Sequence, residues 1–195
     1  MKFPSLYLAS KSPRRRELLQ QMAVDFAVIS PEVDESVIDG EAPEHYVRRI
    51  ALSKAEAGRA LLSNADRKPV LAADTVVVLN EQIFGKPGDE QDARGMLKQL
   101  SGQTHQVMTA IALACEQQLE SSVSISEVTF AELSEQQIDW YLQTGEGADK
   151  AGGYAVQGLA ALFIEQIRGS YSGIMGLPIR ETGQLLMRMD SDSEQ

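Results

Sequence analysis

A single cysteine, Cys115, stands among 195 residues, so no internal disulfide can form and a reducing compartment is expected. No apolar run approaches the length needed to cross a bilayer, which argues against a membrane span. Cations are scarce. Lys and Arg total 18 against 28 Asp and Glu, a formal net charge of -10, and so acidic a surface argues against tight nucleic-acid binding. It leaves room for a small anionic ligand, because a local cationic cluster can overcome the average field. His45, His105 and Cys115 have no zinc-ligand spacing, so both histidines are expected in surface or structural roles. Neither glycine-rich stretch has the spacing of a dinucleotide fingerprint or a P-loop. Met1-Lys2-Phe3-Pro4 leads into a strand-like stretch with no h-region or cleavage site, and a cytoplasmic protein is expected.

What is present is an alternation of short apolar runs and amphipathic stretches, with no internal repeat and no long linker. Strands are expected at Leu6–Ala9, Phe26–Ile29, Val70–Ala73, Val76–Leu79, Gln82–Phe84, Gln106–Cys115, Val123–Glu132 and Ala161–Gln166. Helices are expected at Pro13–Met22, Pro43–Leu62, Asp89–Leu100, from the capping box Ser134-Glu135-Gln136-Gln137 toward Thr144, and at Pro178–Met189. The class is mixed α/β: one domain over 1–189, followed by an acidic tail at 190–195 whose composition reads as disordered.

Three consecutive arginines are out of place where Ser12-Pro13 opens a helix. A helix N-terminus carries about half a positive charge, and each cation there costs about 0.3–1 kcal/mol. An anion held by free N–H groups, Ser10, Ser12 and guanidinium forks would offset that repulsion. Successive helical residues turn by about 100°, so Arg14 and Arg15 are expected to face the ligand and Arg16 the solvent.

Asp74 interrupts the apolar run VLAADTVVVLN. An unpaired buried carboxylate costs several kcal/mol, so Asp74 is expected at a strand end or bulge, either facing a polar cleft as a catalytic or metal-ligating group or bonded to backbone N–H groups in a turn. In the helix from Pro43 the inward stripe runs Val47, Ile50, Ala51, Lys54, Ala55, Gly58, Leu61, Leu62, so Lys54 is an inward cation. Lys86 follows Asp74 closely enough to return to the same cleft, and Glu35 lies on an acidic loop that could supply a metal carboxylate. Gly152 and Gly153 permit close backbone approach, and Gln157 ends that segment.

Together the segments LASKSPRRRELL, AADTVVVLN, GKP, LSGQTHQVMTAIAL, DKAGGYAVQG and GSYSGIMGLP resemble the Maf family of nucleoside triphosphate pyrophosphatases, in family order from Leu8 to Pro178. The likeness is greatest to the subgroup acting on dTTP and UTP. The m7GTP subgroup differs where this chain has Arg14 and Gly152 to Gly158, and a broader pyrimidine subgroup differs less. The resemblance implies a Maf/ITPase-like fold: a mixed twisted sheet with flanking helices, in two lobes around an active-site cleft, commonly as a homodimer. It implies Asp74 as proton acceptor, Arg14, Thr75 and Gln157 as positions that set base specificity, and Ser10, Arg15, Lys54 and Lys86 as triphosphate contacts. Glu35, with Asp74, is implied to assist a divalent metal, Mg²⁺ or Mn²⁺.

The chemistry implied is attack of water on the α-phosphorus, releasing pyrophosphate and a nucleoside monophosphate. Cations would neutralise the polyanion while Asp74 accepts the proton. The Gln157 carboxamide complements N3–H and O4 of uracil or thymine, and turned over it suits cytosine. The alternative is a nucleotide-binding regulator of cell division that does not turn its ligand over.

Overall fold

The computed structural model describes residues 3–63, 65–66, 68–115 and 118–192. Seven strands, β1 (Leu6–Ala9), β2 (Phe26–Ile29), β3 (Val70–Leu79), β4 (Gln82–Phe84), β5 (Thr104–Cys115), β6 (Gln118–Phe130) and β7 (Ile164–Arg168), form one sheet. Its order is β2-β1-β3-β5-β6-β7, with β4 paired to β3. β1 is parallel to β2 and β3, and the other pairs are antiparallel. Among the described residues six α-helices flank it: α1 (Pro13–Gln21), α2 (Pro43–Ala60), α3 (Glu90–Leu100), α4 (Glu135–Gln143), α5 (Tyr171–Met175) and α6 (Ile179–Asp192).

Several elements end where local chemistry dictates. α1 and α2 start on prolines, and Asp89 caps α3 by accepting from the Asp92 N–H. Ser134 and Gln137 form both halves of a capping box on α4. β3 and β4 turn through Asn80 and Glu81, both at positive φ, the geometry a two-residue hairpin requires.

Alternation along β3 sorts its side chains onto two faces. Val70, Ala72, Val76 and Val78 pack with Val47, Ile50, Ala51 and Ala55 of α2. The opposite face splits. Leu71 and Ala73 join Leu18 and Leu19 of α1 and Leu185 and Leu186 of α6. Val77 joins Leu97 and Leu100 of α3, Ile138 and Tyr141 of α4, and the aromatic group Phe130, Tyr154 and Phe163. Between these two cores stand Thr75 and, opposite it on β5, Thr109.

Differences from expectation are local. The two strands expected at Val70–Ala73 and Val76–Leu79 are one unbroken strand, with Asp74 in regular register opposite Ala110 and no bulge. Leu61 of the expected stripe is 62% exposed, because α2 ends at Ala60 and Leu61 is only its C-cap residue. The stretch expected as a strand from Ala161 is a 3₁₀ turn, Leu159–Phe163, with β7 beginning at Ile164. GSYSG holds the short helix α5. α6 continues to Asp192, beyond the expected Met189, and tail residues 193–195 lie outside the described residues.

Candidate active site

The position of Asp74 follows from strand pairing. β5 backs β3 along its whole length, from Val70 to Val78. On the other edge β1 pairs only with Val70 and Leu71, and β4 only with Val77 to Leu79. Among the described residues, Ala72 to Val76 therefore have no strand neighbour on that side. The opening is lateral, so consecutive residues on opposite faces, Asp74 and Thr75, both reach it. Here an Asp within a strand finds water and cations instead of apolar side chains.

A cleft of about 650 Å³ occupies this opening, and Ser10, Arg14, Arg15, Glu35, Lys54, Asp74, Thr75, Lys86 and Gln157 all line it. Six cationic side chains, Lys11, Arg14, Arg15, Lys54, Lys86 and Lys150, meet three carboxylates there, Glu35, Asp74 and Asp149. The local charge is thus opposite in sign to that of the chain. Anion focusing in such a cleft needs only this local excess.

Three of the cations have protein partners: Lys150 pairs with the neighbouring Asp149, and Arg15 and Lys54 are held more extensively. Arg15 donates from Nη1 to Ser10 Oγ (3.1 Å), from Nη2 to Thr75 Oγ1 (3.2 Å) and from Nε to the Gly176 carbonyl (2.9 Å). Thr109 Oγ1 donates to the Gly173 carbonyl (2.7 Å) and lies 2.9 Å from Thr75 Oγ1. With its own proton used, Thr109 accepts from Thr75, and a directed chain runs from Arg15 through both threonines to α5. Burial pulls the Arg15 guanidinium below the ordinary arginine range. Asp74 opposes that shift, and Arg14 adds to it.

Lys54 is held likewise. Its Nζ lies 2.8 Å from Asp74 Oδ1 and 2.8 Å from Glu35 Oε1. The carboxylates come from different elements. Asp74 is on β3, whereas Glu35 is on the 30–42 loop, tied down by the Tyr46 hydroxyl donating to its carbonyl (2.8 Å). Arg49 fastens the same loop through Glu41 (2.7 Å) and the Ser36 carbonyl (2.9 Å). Burial, then the nearby Asp74 and Glu35 charges, push the Tyr46 phenol up to about 12.

Arg14, Lys86 and Gln157 contrast with these: their side chains have no hydrogen-bond or ion-pair partner among the described residues. Arg14 is half-buried, and its guanidinium is held below the ordinary range by burial, with Glu17 opposing. Lys86 and Gln157 are exposed at the rim.

The mouth of α1 differs from expectation in two respects. Ser12 is the N-cap residue, but its side chain makes no capping bond, and the Ser12 N–H donates instead to Ser10 Oγ (3.2 Å). Arg16 is half-buried rather than solvated, donating to the Lys11 carbonyl (3.1 Å). Arg14 and Arg15 line the cleft, as helical geometry requires.

Reading the sequence missed three contributors. Lys150 lines the cleft beside Gly152-Gly153. Burial, then the neighbouring Arg14 and Lys86 charges, lower its ammonium, while Glu146 opposes. Its place two residues before the glycine pair in DKAGGY was the available signal. Thr109 gave no signal, since threonine is ordinary in a strand. Tyr46 was hidden in a helix stripe.

Asp74 Oδ1 and Glu35 Oε1 already converge on one cationic atom, and both are hard oxygen donors. This donor set fits a divalent cation that takes its remaining ligands from phosphate and water. Among the described residues no third carboxylate or histidine joins them.

The family described as Maf-like protein matches residues 5–189. A dTTP/UTP pyrophosphatase of Pseudoalteromonas atlantica is 51% identical over 185 residues, covering 94% of this chain and 96% of that protein. Proteins of the same name from Alkalilimnicola ehrlichii (50% over 192 residues, 97% and 95% covered) and Nitrosospira multiformis (53% over 192 residues, 93% and 92% covered) are equally similar. Among solved structures, the Staphylococcus aureus Ham1 protein is a distant likeness: TM-score 0.44, 19% identity, 67% of this chain and 72% of that one covered. With a family match over nearly its whole length and relatives about half identical from end to end, this chain belongs to the Maf family.

Proposed function

We propose that this protein is a nucleoside triphosphate pyrophosphatase that hydrolyses dTTP and UTP to the monophosphate and pyrophosphate, clearing such nucleotides from the pool. The observation that carries the reading is the convergence of six cations around Asp74 where β1 and β4 leave β3 uncovered. The name shared by the relatives supports the substrate class.

In this reading the uncommitted Lys86, with Lys150, takes the triphosphate oxygens, while Arg15, fixed by Ser10, Thr75 and Gly176, keeps the floor cationic. Lys54 holds Oδ1 of Asp74, and Oδ2 has no partner among the described residues. Oδ2 is thus the oxygen placed to receive the proton of the attacking water. The new bond forms between that water oxygen and the α-phosphorus, the bridging oxygen departs with pyrophosphate, and general-base assistance of this kind contributes about 10²–10⁴-fold. Gln157, Arg14 and Thr75 select the base, Gln157 by pairing its carboxamide with the pyrimidine edge. Glu35 and Asp74 would hold a divalent cation, Mg²⁺ or Mn²⁺, which when bound neutralises phosphate charge and stabilises the leaving group. One domain over 1–189, acting as a cytoplasmic homodimer, completes the reading. No described helix is long and apolar enough to cross a membrane.

The test is a nucleotide panel with Mg²⁺ or Mn²⁺, read by pyrophosphate release, on wild type and Asp74→Asn. Wild type is expected to favour dTTP and UTP, and Asp74→Asn to fall by about 10²–10⁴-fold while still binding dTTP. Binding without pyrophosphate release in wild type would instead establish the non-catalytic regulator. Near-normal turnover in Asp74→Asn would remove Asp74 from its role.

A further inference from the structure

Gln157 has no side-chain partner among the described residues, so something else must fix the backbone that presents it. The Gly158 N–H donates to the Ala155 carbonyl (3.1 Å), and Gln157 is the exposed tip of that turn. Both ends of the turn are pinned from outside. At the leading end the Ala155 N–H donates to the Tyr141 hydroxyl (3.2 Å). At the trailing end Glu146 accepts from the Leu159 N–H through Oε1 (2.9 Å) and from the Ala160 N–H through Oε2 (3.4 Å). Tyr141 then joins the two anchors by donating to Glu146 Oε2 (2.9 Å).

Tyr141 lies in the last turn of α4 and Glu146 in the turn that follows it. Tyr141 is 1% exposed, and Glu146 follows Thr144, whose hydroxyl accepts from the Glu146 N–H (3.2 Å). Packing fits the carboxylate to the turn: a Cβ at Gly158 would fall 2.0 Å from Glu146 Oε1. A larger residue there would push the Glu146 carboxylate off the turn. Burial, then the Glu146 hydrogen bond, raise the Tyr141 phenol far above its ordinary value, so it stays protonated and keeps donating.

We propose that Glu146 and Tyr141 are positioning residues for base selection: together they clamp the Ala155–Leu159 turn and hold Gln157 at the pyrimidine edge without touching the nucleotide. The proposal rests on the reading of Gln157 as the base-contacting residue. Charge-assisted bonds to backbone N–H groups suit the task, being directional and hard for a moving turn to replace.

The experiment compares Glu146→Gln, Tyr141→Phe, Gln157→Ala and the double variant Glu146→Gln/Gln157→Ala. Readouts are kcat and KM for dTTP, UTP, dCTP and dGTP, and inhibition by inorganic tripolyphosphate as a base-free probe. Glu146→Gln keeps the shape but turns an amide toward two N–H donors, and Tyr141→Phe leaves the Ala155 N–H bare. Each is expected to raise KM for dTTP and UTP and to lower their preference over dGTP by about tenfold. Tripolyphosphate inhibition should change less than about twofold, and in the double variant the losses should not add. If Gln157→Ala erodes selectivity while Glu146→Gln and Tyr141→Phe do not, the clamp is overturned and the role of Gln157 stands. If Gln157→Ala leaves selectivity intact, both fall. Equal losses for every nucleotide and for tripolyphosphate would reduce the clamp to general structural support and overturn it. Should Glu146→Gln fail to fold, Tyr141→Phe decides alone, since it removes one hydroxyl.

Discussion

Lys54 and Asp74, twenty residues apart in sequence, meet at 2.8 Å, and the same ammonium stands 2.8 Å from Glu35. Lys54 is therefore the resident cation between two carboxylates that would otherwise repel each other.

Lys54→Met removes that shared counter-charge. The variant is expected to bind Mn²⁺ without nucleotide about tenfold more tightly than wild type, because the carboxylates must find another cation. Stability should fall by about 1–3 kcal/mol, less than for a fully buried pair, since the cleft admits water. Mn²⁺ titration by electron paramagnetic resonance and a urea melt give both quantities. Unchanged or weaker Mn²⁺ binding would mean that Glu35 and Asp74 do not form one site.

Thr109 is wholly buried and never meets the cleft, yet Thr75 depends on it to point its lone pair at Arg15. Thr109→Val breaks the chain while preserving shape. A rise in KM for dTTP of about three- to tenfold is expected, smaller than loss of Arg15 itself because Ser10 and Gly176 still hold that guanidinium. Thr109→Ser restores the hydroxyl and should return KM to within about twofold. Identical kinetics for the valine and serine variants would disconnect the relay from the site.

His105 predicts an acid dependence of stability. It is buried between Phe130 and Tyr154, with Nε2 2.8 Å from the Tyr154 hydroxyl, and burial lowers its pKa from 6.5 to about 4. The unfolded chain thus binds the proton more readily. Stability is fully present above pH 6.5 and is lost as pH falls toward 4, by on the order of 3 kcal/mol for this group. His105→Gln is expected to flatten that part of the wild-type profile in urea melts at stepped pH. Parallel profiles would show that His105 is not the group responsible.

Much of this was legible in the sequence where the controlling signals are local. Proline and capping signals fixed the starts of α1, α2 and α4, and the stripe along α2 put Lys54 on the face that meets β3. Asp74 was misplaced to a strand end because its tolerance comes from a neighbour that is missing: β1 and β4 stop short of it, and pairing between distant strands leaves no local trace. α5 is too short to show a helical period, and the partners of Glu146, the Leu159 and Ala160 N–H groups, lie too far along the chain to leave a local signal.

The open edge of β3 has a wider consequence. Because β5 supports the strand continuously behind Asp74, that carboxylate rides on a stiff beam, while Arg14 and Gln157 hang from segments at its margins. New nucleotide preferences can therefore arise by exchanging those marginal groups, with the beam and its chemistry left as they are.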